Sequence, residues 1–492
     1  MNRCSKDWVL DWVVPLGFGL VLCLMVPLRT AFEFGTDEGF ELMKAWLVSL
    51  GHPIYREFWN DQPPLHTELL AMLFRVFGPS AFLGRLLSVV FAMVLVGALY
   101  QMARHRSGCV VGLLAVALLF ASESFIQLSV SVMLEMPAMA MGLASAWAWF
   151  RYVQRKESKW LVISGALFGC ALQIKFTAIV FLPALLVDYL VNRQRISSDA
   201  TARWDQSWWR SHREGLLWCA SSAVAFGFVV AGFYQMDTLR VCFGSHFSHG
   251  TREVVASEGY KFRPESLLSD LAISVPATVG MVLIFIRRRW DLRLPVVLLV
   301  TAFVIHSWHR PFWYYYHLHF SIPMAWLGAI GIVELFQHVW KLALDSSPWG
   351  KLRFGIGLLT WSAVASLALT SWPGSLWHEL AKVRAARSAT EDATVAAFKS
   401  HSVGTRWVLT NHQIAAFWAG LPIPPELAVM PAKRIWSGQI GKEEMLRCLE
   451  KYQPEQILVP TDWEAKFELS NYLRDHYRED VEGGVGHLLL RK

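Results

Sequence analysis

The chain has 492 residues, 54% of them hydrophobic and 17% charged, with 24 Trp and a formal net charge of +7. This composition excludes an ordinary soluble domain and points to a polytopic membrane protein. The seven cysteines include no CxxC pair, so they supply no metal or redox framework.

Apolar runs long enough to approach a bilayer crossing recur at 9–28, 83–103, 109–125, 133–151, 160–174, 176–191, 216–234, 268–286, 294–308, 317–336 and 354–371. The first has no convincing small-residue cleavage site after it and is read as an uncleaved anchor. Lys and Arg gather at Arg104 to Arg106, Arg151 to Lys159, Arg193 to Arg213, Arg287 to Arg293 and Lys341 to Arg353. Because basic residues near span ends are retained in the cytoplasm, the N-terminus is expected inside and the last 120 or so residues outside. The positive charge is therefore topological, and a nucleic-acid partner is not expected.

Between the first two runs lies a polar, acid-bearing loop, 30–82. Within it, Phe40, Met43, Leu47 and Leu50 recur at helical spacing, with Glu41 and Lys44 on the other face. The spacing predicts a helix on the membrane surface, started by Thr36 as N-cap and ended at Gly51. Pro63-Pro64 breaks the chain before a second helix, Leu65 to Phe77. A second large outer loop spans 235–267, and Trp8, Trp12, Trp160, Trp290, Trp308, Trp313, Trp340 and Trp372 fall near span ends, as an aromatic belt requires.

After 371 the continuous apolarity stops. Short apolar stretches at 405–410, 456–460 and 487–490 read as buried strands, and helical patterns lie at 379–400, 442–452 and 463–476. The expected fold is an all-α polytopic membrane region, 1–371, followed by a small α/β domain outside the membrane, 372–492.

Several side chains have both a bland and a functional reading. Asp37 and Glu38 suit the first turn of any helix, because acids there complement the helix dipole. Alternatively, one of the two takes a proton from an acceptor hydroxyl as it attacks a sugar carbon. Glu135, at the edge of an apolar run, is either a helix-start carboxylate or a functional group. Lys175, on the tight turn between the fifth and sixth runs, either snorkels or neutralises a lipid phosphate. Tyr314, Tyr315 and Tyr316 fit an interface belt, whereas Arg310, the charge in that loop, is placed to clamp a phosphate. The histidines at 306, 309, 317 and 319, and at 246 and 249, lack a third ligand at set spacing, so no zinc site is assigned. Cys242 and Cys448 are the two cysteines expected outside, and nothing in their spacing pairs them.

The ordered motifs Asp37-Glu38-Gly39, Gly51 to Phe58, Gln62-Pro63-Pro64-Leu65, Phe77-Gly78-Pro79-Ser80, Arg85-Leu86, Glu135-Met136-Pro137-Ala138, Gly165 to Lys175 and Tyr314 to Pro323 resemble a known set. That set belongs to the dolichyl-phosphate-mannose protein mannosyltransferase-like group, glycosyltransferase family 39. The bacterial lipid A aminoarabinose and galacturonosyl transferases are similar. The resemblance implies a GT-C fold, a polyprenyl-phosphate sugar donor in the lipid bilayer, and an envelope lipid, glycan or protein acceptor at the outer face of the inner membrane. Asp37 matches the general base, Glu38 is its paired acid, and Glu135 matches a second acid that orients the acceptor or holds a divalent metal ion. No other cofactor is implied. Lys175 and Arg310, with Tyr315, His66 and Gln62, are the expected substrate contacts. One departure stands out: the aminoarabinose transferases have a lysine before the double proline, and here Gln62 takes its place, so the phosphate charge falls to Lys175 and Arg310. Arg85 is expected to anchor Asp37 or Glu38. The alternative from another class, a lipid-linked sugar flippase, calls for polar groups at the bilayer midplane and two related halves; neither is visible in this chain.

Overall fold

The computed structural model describes residues 7–197, 204–233, 260–268, 270–344, 347–431, 434–435, 438–480 and 487–492. His246, His249 and Cys242 lie outside the described residues. The first half of the chain forms α1 (Asp7–Met25), α2 (Glu38–Ser49), α3 (Leu65–Phe77), α4 (Ala81–Ser107), α5 (Cys109–Phe120), α6 (Phe125–Val130), α7 (Glu135–Arg155), α8 (Ser158–Leu172), α9 (Phe181–Ser197) and α10 (Trp204–Phe233). It continues with α11 (Leu271–Ile286), α12 (Arg293–Trp308), α13 (His317–Ala343) and α14 (Pro348–Arg384). Every predicted apolar run overlaps one of these helices. Among the described residues, six stretches are long and apolar enough to cross a membrane: Trp8–Met25, Ala81–Ser107, His212–Gly232, Trp290–Trp308, Tyr314–Ala343 and Pro348–Arg384.

The bundle packs α7 on α4 and α8, and α13 on α5, α11 and α12. Small residues set the closest crossing, since a Cβ on Gly280 of α11 would meet the Leu327 carbonyl oxygen of α13 at 2.0 Å. The predicted run 354–371 is the middle of α14, which continues unbroken to Arg384.

The tail adds α15 (Ala393–Ser400), β1 (Val408–Thr410), α16 (Gln413–Ala419), α17 (Lys442–Tyr452), β2 (Gln456–Leu458), α18 (Thr461–Lys466), α19 (Ser470–His476), β3 (Tyr477–Glu479) and β4 (Leu489–Arg491). Its sheet has the order β1-β2-β4-β3, with β1 and β2 parallel and the other pairs antiparallel. The helix expected over 463–476 is two helices, because the chain turns at Glu468, whose φ is +50°. β3, two-thirds exposed, escaped the reading for buried strands. The helix expected over 379–400 is interrupted after Arg384 by an extended stretch that pairs with the first long loop.

Two apolar cores result. One fills the bundle. The other is shared: Leu42, Met43 and Leu47 of α2 and Leu70 and Phe74 of α3 bury with Val408, Ile414, Phe417, Leu449 and Ile457 of the tail. The first long loop is therefore one folding unit with the C-terminal domain. This corrects the expectation that α2 lies on the membrane with Glu41 and Lys44 turned to water. Both side chains are buried, while Leu50 is exposed.

Candidate active site at the first long loop

Asp37, rather than Thr36, is the N-cap of α2, and its side chain makes no capping hydrogen bond. Its half-buried carboxylate is thus not spent on the helix end, which removes the simplest bland reading of that residue. Glu38 has the opposite fate. Fully buried, it receives Arg85 Nε at 2.9 Å and Nη2 at 3.1 Å, and the Phe34 amide at 2.7 Å. Arg85 also donates to the carbonyls of Leu28 (2.9 Å), Ala31 (2.8 Å) and Phe32 (3.3 Å). The pair staples the loop 28–38 to α4, as expected for Arg85. With both oxygens engaged by the guanidinium and one of them also by the Phe34 amide, Glu38 serves as an anchor for its neighbour.

Lys175 sits in the turn after α8, buried, with its ammonium paired to the buried Glu135 at the start of α7. The same ammonium lies 4.4 Å from the ring centre of Tyr315 and 5.3 Å from that of Tyr316, a two-sided aromatic wall for a cation. This turn is tied to the double-proline segment, because the Leu65 amide donates to the Gln173 carbonyl at 3.0 Å. Tyr314 meets Thr36 and, at 3.3 Å, Met133 Sδ. Burial raises the Asp37 carboxyl above its ordinary range; Lys175 and then Lys44 pull it back down, and Asp61 pushes it up again.

A second polar group lies under α2. Lys44 donates to Glu41 Oε1 at 2.7 Å and to Asn60 Oδ1 at 3.2 Å, and Asn60 in turn donates to the Gln62 carbonyl at 2.6 Å. His66 is fully buried 4.0 Å from Glu41 Oε2, and neither of its ring nitrogens has a hydrogen-bond partner. Burial, with Lys44 nearby, lowers its imidazole to about 3, which keeps it neutral.

Of the expected site residues, Asp37, Glu135, Lys175 and Tyr315 come together; the main chain of Gln62 and the side chain of His66 belong to the adjoining network. Arg310 is exposed on the loop between α12 and α13. Lys44, Asn60 and Asp61 were not singled out from the sequence. The signal available was an acid and an amide directly before a double proline, where the chain is rigid enough to hold side chains in place. Among the described residues, no group of three His, Cys, Asp or Glu is arranged to hold a metal ion. Glu135 already neutralises Lys175, and a cation site there would put two positive centres together, so a metal does not fit that carboxylate.

The fold is that of ArnT from Cupriavidus metallidurans. In its apo state that protein aligns with a TM-score of 0.60 at 15% identity, over 99% of this chain and 98% of that one. Bound to undecaprenyl phosphate, it aligns at 0.59 and 15% identity over 95% of both chains. This is the GT-C fold. The oligosaccharyltransferase of Archaeoglobus fulgidus shares it, with a TM-score of 0.57 at 11% identity over 92% of this chain and 69% of that one. Residues 61–204 match the family model of the dolichyl-phosphate-mannose-protein mannosyltransferases. A comparison with curated protein sequences gave no match. The family read from the ordered motifs agrees with the family model over residues 61–204 and with the GT-C fold of the whole chain.

Proposed function

We propose that this protein transfers a sugar, with inversion, from a polyprenyl phosphate to a hydroxyl-bearing acceptor at the outer face of the inner membrane. The acceptor oxygen gives its proton to the Asp37 carboxylate and bonds to the anomeric carbon. The bond from that carbon to the phosphate oxygen breaks, and the polyprenyl phosphate leaves with the electron pair. Lys175, held between Glu135 and two tyrosine rings, meets the growing negative charge on the phosphate. Glu135 acts by fixing that lysine. The observation that carries the reading is Asp37: a half-buried carboxylate free of any capping duty, with Lys175 as its strongest electrostatic partner.

The orientation, with the N-terminus in the cytoplasm and the C-terminal domain outside, follows from the distribution of Lys and Arg. Undecaprenyl phosphate bound to ArnT and dolichol-phosphate bound to the archaeal oligosaccharyltransferase support the donor class. The test is mass spectrometry of envelope lipids, glycans and glycoproteins from cells with the wild-type chain, without it, and with Asp37→Asn. A sugar modification present only with the wild-type chain is expected. Normal product from Asp37→Asn, or movement of labelled carrier across liposomes with its sugar–phosphate bond intact, would overturn the reading.

A further inference from the structure

The role of the C-terminal domain can be read from what it touches. The extended stretch after α14 runs beside the loop that carries Asp37: the Phe32 amide donates to the Arg387 carbonyl at 2.7 Å, and the Ala389 amide donates to the Thr30 carbonyl at 2.8 Å. On the other side of this loop stands α16. Its Trp418 donates from Nε1 to the Phe32 carbonyl at 2.9 Å, the same oxygen that Arg85 Nη2 reaches at 3.3 Å. The Arg85 guanidinium lies 5.8 Å from the Trp418 ring centre and 4.5 Å from that of Phe34. Where α16 meets α2, a Cβ on Gly39 would come within 2.6 Å of the Ile414 backbone nitrogen. Phe417 packs edge-on to Trp46 of α2, ring centres 5.6 Å apart.

We infer that the C-terminal domain is a working part of the transferase site, and that Trp418 is a positioning residue which locks the Phe32 carbonyl and the Arg85–Glu38 staple, and through them the Asp37 carboxylate. The inference rests on the transferase reading for its chemistry, but the clamp itself is a mechanical statement about the loop 28–38. A domain that only shielded the site from solvent would need no hydrogen bond to that loop's carbonyls. Here one carbonyl is held at once by a bundle residue and by a tail residue.

The experiment compares full-length Trp418→Phe and Trp418→Ala with Trp463→Phe, which alters a buried indole of the same domain that packs on Phe467. Each protein is read for amide hydrogen exchange in the 28–38 peptide, for binding of undecaprenyl phosphate alone, and for product in cells. Trp418→Phe keeps a ring but leaves the half-buried Phe32 carbonyl one donor short. It should speed exchange of the 28–38 peptide and lower product by about tenfold. Trp418→Ala, which also removes the ring beside Arg85, should lower product further. Undecaprenyl phosphate binding should stay at the wild-type level in both, and Trp463→Phe should leave all three readings unchanged. Unchanged exchange at 28–38 in Trp418→Ala overturns the clamp. So does unchanged product, and so does an equal loss in Trp463→Phe. If wild type itself yields no product, the transferase reading fails, while the exchange arm still decides the clamp.

Discussion

The two ends of the bundle carry the same kind of group and treat it differently. At the far end, Asp188 of α9 is buried and ion-paired with Arg293, and its other oxygen accepts from Trp149 Nε1 at 2.8 Å and Asn192 Nδ2 at 2.8 Å. That carboxylate is saturated, and it joins α7, α9 and α12. At the near end the Arg85–Glu38 staple is equally complete, yet beside it Asp37 makes no capping bond, and Glu41 Oε2 and both nitrogens of His66 lack partners. A buried polar group left without a hydrogen-bond partner costs about 1–3 kcal/mol. The closed pairs fasten the bundle, and the groups left open at the first long loop adjoin the proposed base Asp37.

Breaking the open end should cost activity without stability. Asp37→Asn is expected to reduce transfer by about 10²–10⁴-fold, the usual worth of a general base, while the purified protein keeps its wild-type melting temperature. Asp188→Asn is the reverse case: a lower melting temperature with unchanged transfer per folded molecule. Arg85→Ala strands Glu38 as an unpaired buried charge, and a loss of about 3–5 kcal/mol of stability should appear as poor folded yield in size-exclusion chromatography.

The pH dependence sharpens the contrast. In the proposed mechanism Asp37 acts as the carboxylate, so transfer should fall as pH drops through its pKa, which burial raises and Lys175 and Lys44 lower. Removing either positive charge raises that pKa, so the acid limb of the transfer profile should move to higher pH, more for Lys175→Met than for Lys44→Met. The smallest expected effect is at Glu33. Burial, with Glu38 and Asp37 nearby, raises its carboxyl to about 7 against an opposing pull from Arg85. Because the folded protein favours the neutral acid, its stabilising contribution is complete below the ordinary carboxylate range and is lost as pH rises through about 7. Glu33→Gln should therefore raise the melting temperature by about 1–3 °C at pH 8 and leave it unchanged at pH 4.

Legibility in the sequence differed by region. The bundle helices were readable because a membrane span is written as a continuous apolar run, and α3 and α17 were found to the residue because Pro64 and Gly441 mark their starts. Strand β3 was not, since only Tyr477 of its three residues is buried. Within the site, Asp37, Glu135, Lys175 and Tyr315 stood out as polar or aromatic groups at the ends of apolar runs. Lys44 and Glu41 did not, because on α2 they look like the water-facing side of an amphipathic helix.

By itself, the sequence determined the membrane class, the helix order and the ordered motifs of a GT-C chain, since these depend on local hydrophobicity and on short spacings. Only the tertiary structure decided which of two adjacent carboxylates Arg85 engages. Asp37 and Glu38 are neighbours with the same charge, and their roles separate because Arg85, 47 residues away, reaches one of them and not the other. The tertiary structure also decided that the tail packs on the loop that carries Asp37, because the contact between Trp418 and Phe32 spans 386 residues of chain and leaves no local pattern in either segment.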